Sequence, residues 1–409
     1  MRRRTQAVVL VLAAALAACR TILGLDDPIV RDDAGAGDAS GEIDVDNGEA
    51  STDYPAFAVQ FPKIASPSGT GFQGLTSPVF QVVAFAGDQL ASELQAGGQA
   101  WITSGVWNTQ VGEYTGDASI LQLVVVADDP PGSVSYDDVR TLIAKLDADA
   151  ASSPIDASVP ATVFVVFYPP GTSVQGPDGA SSCSPSSAYH SEMVIGATKV
   201  AYVVVPRCDD DASAVSAATS YQILAAATNP WPRTFPGLTT FGPDDRGWDL
   251  LNGDGSTEVP QPCKGKVAVL SDAGLATARS WSNTAAAGYH NPCKPAPAGA
   301  YFAATPVMEE RINLSGGYPT RGIQLAPETS TTIEVQLWSD GPTTGPWDVE
   351  VSAPQGGLEF TWVQGRHAGA NGNKLYLTIT SHTSTPKPFL LTSTLDSGEG
   401  ATWVGLVGP

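Results

Sequence analysis

The chain has 409 residues, with 42 acidic side chains against 21 basic ones and a formal net charge of -21. Nucleic acid is excluded as a natural partner by that balance, which suits solubility at a cell surface. With 42% hydrophobic residues the chain is long enough to bury the cores of two domains.

The first element is MRRRTQAVVLVLAAALAAC, an export leader. Arg2 to Arg4 form its positive start, and the apolar run Ala7 to Ala18 is too short to span a bilayer. Its end, Leu16-Ala17-Ala18-Cys19, resembles the lipobox of bacterial lipoproteins. The resemblance implies cleavage after residue 18, lipid on Cys19, and a membrane contact made through the lipid anchor alone. Arg20 stands where such proteins often carry an Asp that retains them on the inner membrane, so the resemblance points to the outer membrane of the envelope. Residues 19–53 lack aromatics and are rich in Asp, Gly, Ala and Ser, the composition of a disordered acidic tether. About 34 such residues have a root-mean-square reach of about 30 to 35 Å.

Between residues 54 and 312 strand-like and helix-like segments alternate. Val79–Phe85, Ile120–Val126, Thr162–Tyr168 and Lys199–Val205 read as strands, the last three buried on both faces. A short helix is expected from Asp88, with Leu90 and Leu94 inward and a stop at Gly97-Gly98. Ser135 and Asp138 open a second helix with Val139, Leu142, Ile143 and Leu146 along one stripe. A third helix, SAATSYQILAAATNP, ends at Asn229-Pro230. Residues 325–409 then alternate in period two at Ile333–Leu337, Trp347–Val351, Leu358–Val363, Leu375–Ile379, Phe389–Leu395 and Trp403–Val407, the pattern of an all-β sandwich.

Setting Cys19 aside for lipid leaves Cys183, Cys208, Cys263 and Cys293. Four cysteines permit three connectivities. Pairing of sequence neighbours, Cys183 with Cys208 and Cys263 with Cys293, is expected in an oxidising compartment. No C-x-x-C pair supports a zinc site.

Several ordered pieces carry a resemblance. They are Trp107 followed by VGEYTG, the strand-loop VFVVFYPPGT, Cys183 followed by AYHSE, the strand AYVVVPRC, the third helix, a Trp248 loop ending in EVPQPC, and RSWSNTAAAGYHNPC. Together they resemble a family of secreted or lipid-anchored bacterial proteins with a zincin-like helix, and more distantly the plant phosphate-induced, exordium-like proteins. The resemblance implies an α/β zincin-like domain ahead of the sandwich. In family members that look catalytic, the helix carries Ser-His-Glu-x-x-Glu-Ala-x-Thr-Asp-Pro, where a His and a Glu one turn apart can share a zinc and the intervening Glu can act as base. The matching positions here are Tyr221, Gln222, Ala225 and Asn229, and a further acid corresponds to Gln261. None is a zinc ligand or a base of the family's kind, so no metal and no cofactor are implied. The expected role is a binding or structural one for a lipid-anchored envelope protein with a catalytically degenerate metallopeptidase-like domain. Its protein or glycan partner is unnamed by the sequence.

Two alternatives stand beside this reading. An active metallohydrolase would need unusual ligands, with His190 and His290 the nearest candidates. A carbohydrate-binding envelope protein would expose a platform built from Trp338, Trp347, Trp362 and Trp403, although tryptophans at alternating positions are more often core. Asn252-Gly253-Asp254-Gly255 reads as a turn rather than a calcium loop, because Leu250 and Gln261 occupy positions that require acids.

Overall fold

The structure is a computed structural model that describes residues 49–67, 74–88, 90–120, 123–148, 161–183, 188–208, 211–251, 257–270, 275–314, 316–395 and 400–409. The leader, Cys19, the tether up to residue 48 and the Asn252–Gly255 turn lie outside them. No helix among the described residues is long and apolar enough to cross a membrane. Val45–Pro409 form one compact unit.

The first large sheet uses β1 (Val79–Phe85), β2 (Ser119–Ile120), β3 (Val124–Val126), β4 (Thr162–Tyr168), β5 (Tyr189–Ile195) and β6 (Thr198–Pro206). Its order is β2-β1-β4-β6-β5, with β3 also paired to β1. The pairs β1–β4 and β4–β6 are parallel, whereas β5 runs antiparallel to β6. All seven residues of β4 are buried, which is why its sequence is a continuous apolar run without alternation.

Helix α1 (Ala91–Thr103) begins three residues after the expected start at Asp88, whose Oδ1 accepts from the amides of Leu90 at 3.0 Å and Ala91 at 3.2 Å. It runs through Gly97-Gly98 instead of stopping there. The glycines serve packing: a Cβ on Gly97 would sit 2.1 Å from Cδ1 of Leu275, and one on Gly98 would sit 2.9 Å from Cδ1 of Ile120. Close approach therefore outweighs the roughly 1 kcal/mol that each glycine costs a helix interior. Helix α2 (Val106–Val111) follows, and α3 (Tyr136–Ala148) buries Val139 and Ile143 of the expected stripe. Helix α4 (Ala212–Thr228) is capped by Asp211, which accepts from the amides of Ser213 and Ala214. Its second half is buried all round, with Leu224, Ala225, Ala226 and Ala227 fully shielded between β6 and the short strand Ala276–Ala278.

The expectation of an α/β zincin-like domain over residues 54–312 is overturned. The chain is β-rich, its strands divided among seven sheets in the described residues, and helices are few. Where a helix was needed to sustain the alternation between β4 and β6, the chain makes β5 and turns straight back. Beyond α4, apart from the five-residue helix Asn283–Ala287, the described residues between 229 and 301 hold only 3-10 turns and strands of two or three residues. Two buried parallel pairs and one amphipathic stripe imitate an α/β pattern locally, and the segments between them do not continue it.

The C-terminal strands are β7 (Phe302–Pro306), β8 (Glu310–Asn313), β9 (Pro319–Gln324), β10 (Thr329–Ser339), β11 (Trp347–Ser352), β12 (Leu358–Trp362), β13 (Ala368–Gly369), β14 (Lys374–Ser381), β15 (Lys387–Thr394) and β16 (Thr402–Gly408). They form a four-stranded sheet, β7-β10-β14-β12, and a six-stranded one, β8-β9-β16-β15-β11-β13. Every expected strand of residues 325–409 is present. The sheets also recruit β7, β8 and β9, which precede residue 325, because Phe302–Pro306 pair with Val335–Ser339 and Ile323 pairs with Val407.

The end of the expected tether is not free chain. Asn371, in the turn between β13 and β14, donates through Nδ2 to the carbonyls of Ser51 at 3.0 Å and Asp53 at 2.8 Å. Its Oδ1 accepts from the amides of Ala56 at 3.3 Å and Ser339 at 3.0 Å. From this clamp the chain crosses the body, placing Phe61 edge-on to Trp338 and Trp403 and pairing Ile64 with Phe241.

Candidate functional site

The five positions singled out on α4 and in the EVPQPC loop meet largely at one place. Tyr221 and Gln222 lie on the half-buried side of α4, and Ala225, one turn on, is fully buried. The hydroxyl of Tyr221 donates to Oε1 of Gln261 in a short hydrogen bond. Burial, and secondarily the charge of Glu258, raises the Tyr221 pKa far above its usual value, so the phenol keeps its proton as a donor.

Gln222 reaches the first sheet. Its Nε2 donates to the carbonyl of Ala188 at 3.1 Å, which turns Oε1 toward Nδ1 of His190 at 3.2 Å. On the other side of the ring, Nε2 of His190 lies 3.2 Å from Oε1 of Glu258. The two atoms are close without the geometry of a hydrogen bond. The same Oε1 accepts from Nδ2 of Asn229 at 3.3 Å, and Oδ1 of Asn229 accepts from the amide of Gly237 at 2.8 Å. Asn229 thus closes the C-terminus of α4 and holds the loop beyond it.

The His190 side chain is 6% exposed and that of Glu258 23%, so the pair sits just under the surface. Both disulfides lie close in sequence to this network. Cys183 is bonded to Cys208 and Cys263 to Cys293, as expected of sequence neighbours. The 3-10 turn Gln261–Cys263 carries both the Tyr221 acceptor and one half of a disulfide. Chemically the arrangement fastens α4 to β5 and to the loop at residues 258–263. Gln222 and Gln261 offer no group that accepts a proton at neutral pH.

Sequence reasoning missed Glu258. Nothing in EVPQPC marks that carboxylate as the one facing His190, since the contact joins positions 68 residues apart and depends on how the loop folds back. His190 was legible only as a scarce residue type. His290 is not part of this network; it is largely exposed and its Nδ1 lies 2.9 Å from Oδ2 of Asp340. Among the described residues no group of three or more His, Cys, Asp and Glu side chains is placed to hold a metal.

The tryptophans expected as a possible sugar platform are mostly interior. Trp338, Trp347 and Trp403 are 0%, 1% and 5% exposed, and Trp362 is half-buried. Trp338 and Trp403 pack edge-on with each other, and Tyr301 joins Trp338, as an aromatic core.

No family model matches the sequence and no curated protein matches it. Among solved structures, the chain is similar to domains 4 and 5 of the S-layer protein SbsC, at 13% identity over 25% of this chain and 53% of that one, with a TM-score of 0.17. It is also similar to a conjugative transposon lipoprotein from Bacteroides eggerthii DSM 20697, at 10% identity over 26% of this chain and 98% of that one, with a TM-score of 0.20. A third likeness, to SbsC domains 1–6, has 11% identity over 58% of this chain and 37% of that one, at a TM-score of 0.17. The chain thus spans about half the length of the first SbsC fragment. Likeness at these scores carries no argument about fold or role.

Proposed function

We propose that this is a protein of the bacterial cell envelope, tethered to the outer membrane by lipid on Cys19, whose folded body binds a partner or serves as a structural part and does not catalyse hydrolysis. The observation that carries the reading is the polar network that ties the residues at the would-be ligand positions to one another. Tyr221 is spent on Gln261, Gln222 on Ala188 and His190, and Asn229 on Glu258 and Gly237. Side chains that satisfy one another in this way hold elements together and leave no ligand set poised for a catalytic metal.

Export is supported by the leader at residues 1–18 and by the two disulfides, which persist in oxidising compartments. A glycan-binding role through the sandwich tryptophans is disfavoured by their burial. Fractionation of cells making the Cys19→Ser variant tests the tether. The variant should leave the membrane fraction for the soluble one, and a variant as firmly membrane-bound as the wild type would overturn the assignment.

A further inference from the structure

The short strands Val267–Val269 and Ala276–Ala278 form a two-stranded sheet of their own. They run antiparallel, with Val267 opposite Ala278, Ala268 opposite Thr277 and Val269 opposite Ala276. Which of these pairs are bonded follows from the residues at either end: the amide of Arg279 donates to the carbonyl of Lys266 at 3.0 Å, and that of Leu270 to the carbonyl of Leu275 at 2.8 Å. In an antiparallel ladder, bonded pairs alternate with unbonded ones. Residues 266, 268 and 270 therefore turn their backbone groups into the hairpin, whereas Val267, Val269, Ala276 and Ala278 turn theirs outward.

The two outer edges differ. On one, the Ala278 amide donates to Oγ of Ser220 on α4 at 2.8 Å, and the Ala278 carbonyl accepts from Nε2 of Gln110 on α2. On the other, the N–H and C=O groups of Val267 and Val269 meet no partner among the described residues. The two side chains there are 41% and 70% exposed, and Val269 is the most exposed large apolar side chain among the described residues. Exposed β-branched side chains on an unpaired edge make a template for one more strand.

We propose that this edge pairs with the same edge of a second copy of the chain, antiparallel about a two-fold axis at Ala268. The outward residues lie one on each side of Ala268, so the axis sets Val267 against Val269 of the second copy and Val269 against Val267 of the second copy. All four backbone groups of each copy are then bonded, and valine meets valine twice. The edge is its own complement.

The size of the edge selects this occupant. Two three-residue strands bury far less than the about 1,200 Å² of a stable interface, and copies with a net charge of -21 repel one another. A contact so small holds only where the partner is already confined nearby. Lipid on Cys19 confines copies of this chain to one surface, which raises their effective concentration without any further contact. A partner free in solution has no such help. The pair therefore forms on the membrane and not between soluble monomers.

This inference rests on the tethering proposed above, so its test supplies a tether that does not depend on Cys19. The chain from residue 19 to 409, carrying Cys19→Ser and an N-terminal histidine tag, is captured on vesicles of phosphatidylcholine containing nickel-chelating lipid. Under mild oxidation Ala268→Cys should cross-link to a dimer about ten-fold faster than Ser330→Cys, an exposed position on β10, because Cα atoms opposed at the axis lie about 4.5 Å apart, within reach of a disulfide. Adding Val267→Lys with Val269→Lys sets like charges opposite one another and should abolish that excess. Adding Val267→Lys with Val269→Glu instead sets lysine opposite glutamate and should restore it, in proteins of unchanged circular dichroism. No excess of Ala268→Cys over Ser330→Cys, or equal cross-linking in the two charged variants, would overturn the proposal. So would capture of a different protein by Ala268→Cys in cells in place of the dimer. Failure of the Cys19 fractionation with success here would reject only the native anchor.

Discussion

Nε2 of His190 and Oε1 of Glu258 lie 3.2 Å apart, joining the edge strand of the first sheet to the loop that begins the second disulfide. The carboxylate oxygen also takes the Asn229 amide, so one atom serves both the sheet and the end of α4. Removing it leaves the Asn229 amide without that acceptor and takes away the carboxylate facing His190 just beneath the surface.

Glu258→Ala is therefore expected to destabilise the body by about 2 to 3 kcal/mol, and Glu258→Gln by about 1 kcal/mol, because an amide oxygen replaces the acceptor but not the charge. Urea unfolding of the two variants checks this. Equal stability of Glu258→Ala and wild type would show that the network contributes nothing.

The Asn371 clamp makes a sharper substitution. Asn371→Asp keeps the size of the side chain but turns two donors into an acceptor that faces the carbonyls of Ser51 and Asp53. The strap at residues 51–56 should loosen, and limited proteolysis should cut there at least ten-fold faster than in wild type while the sandwich stays intact. An unchanged cleavage rate would mean that packing at Phe57 and Phe61, not the amide, holds the strap.

Loss of the second disulfide through Cys263→Ala with Cys293→Ala should cost about 3.5 kcal/mol by the loop-closure relation for a separation of 30 residues. Chemical denaturation of the double variant gives the measure. A change below about 1 kcal/mol would point to residual order in the unfolded loop.

His382 offers a test by pH. The Glu328 carboxylate, hydrogen-bonded at 3.0 Å, raises its pKa above the usual histidine value, and Glu359 adds to the effect. A histidine raised on folding contributes stability that is fully present below its unfolded pKa and is lost as pH rises through the folded one. The three side chains lie at the surface, so salt should weaken the effect. An NMR titration should show the His382 shift fall in Glu328→Gln; an unmoved titration would remove Glu328 as its cause.

How much of this was legible in the sequence depended on the range of the contacts involved. Period-two alternation at Ile333, Val335 and Leu337 reports a local half-buried face, and β10 is there. The continuous run Thr162–Tyr168 likewise marks a strand shielded on both sides. Gly97-Gly98 read as a stop because the residues that need their missing side chains, Leu275 for Gly97 and Ile120 for Gly98, are remote in sequence. The α/β reading failed for a related reason: the apolar runs of β4 and β6 do not reveal that β5 intervenes. At the candidate site, helical spacing placed Tyr221 and Ala225 one turn apart, whereas Glu258 and the Asn371 clamp depend on loop closures that no local pattern announces.

Metal analysis of the folded body, Val45–Pro409, after dialysis against equimolar zinc tests the central claim most directly. A network whose would-be ligand positions are engaged with one another predicts far less than one equivalent of zinc and a melting temperature unmoved by chelator. Near one equivalent of zinc, lost in His190→Ala and accompanied by chelator-sensitive hydrolysis of peptide, would contradict the account.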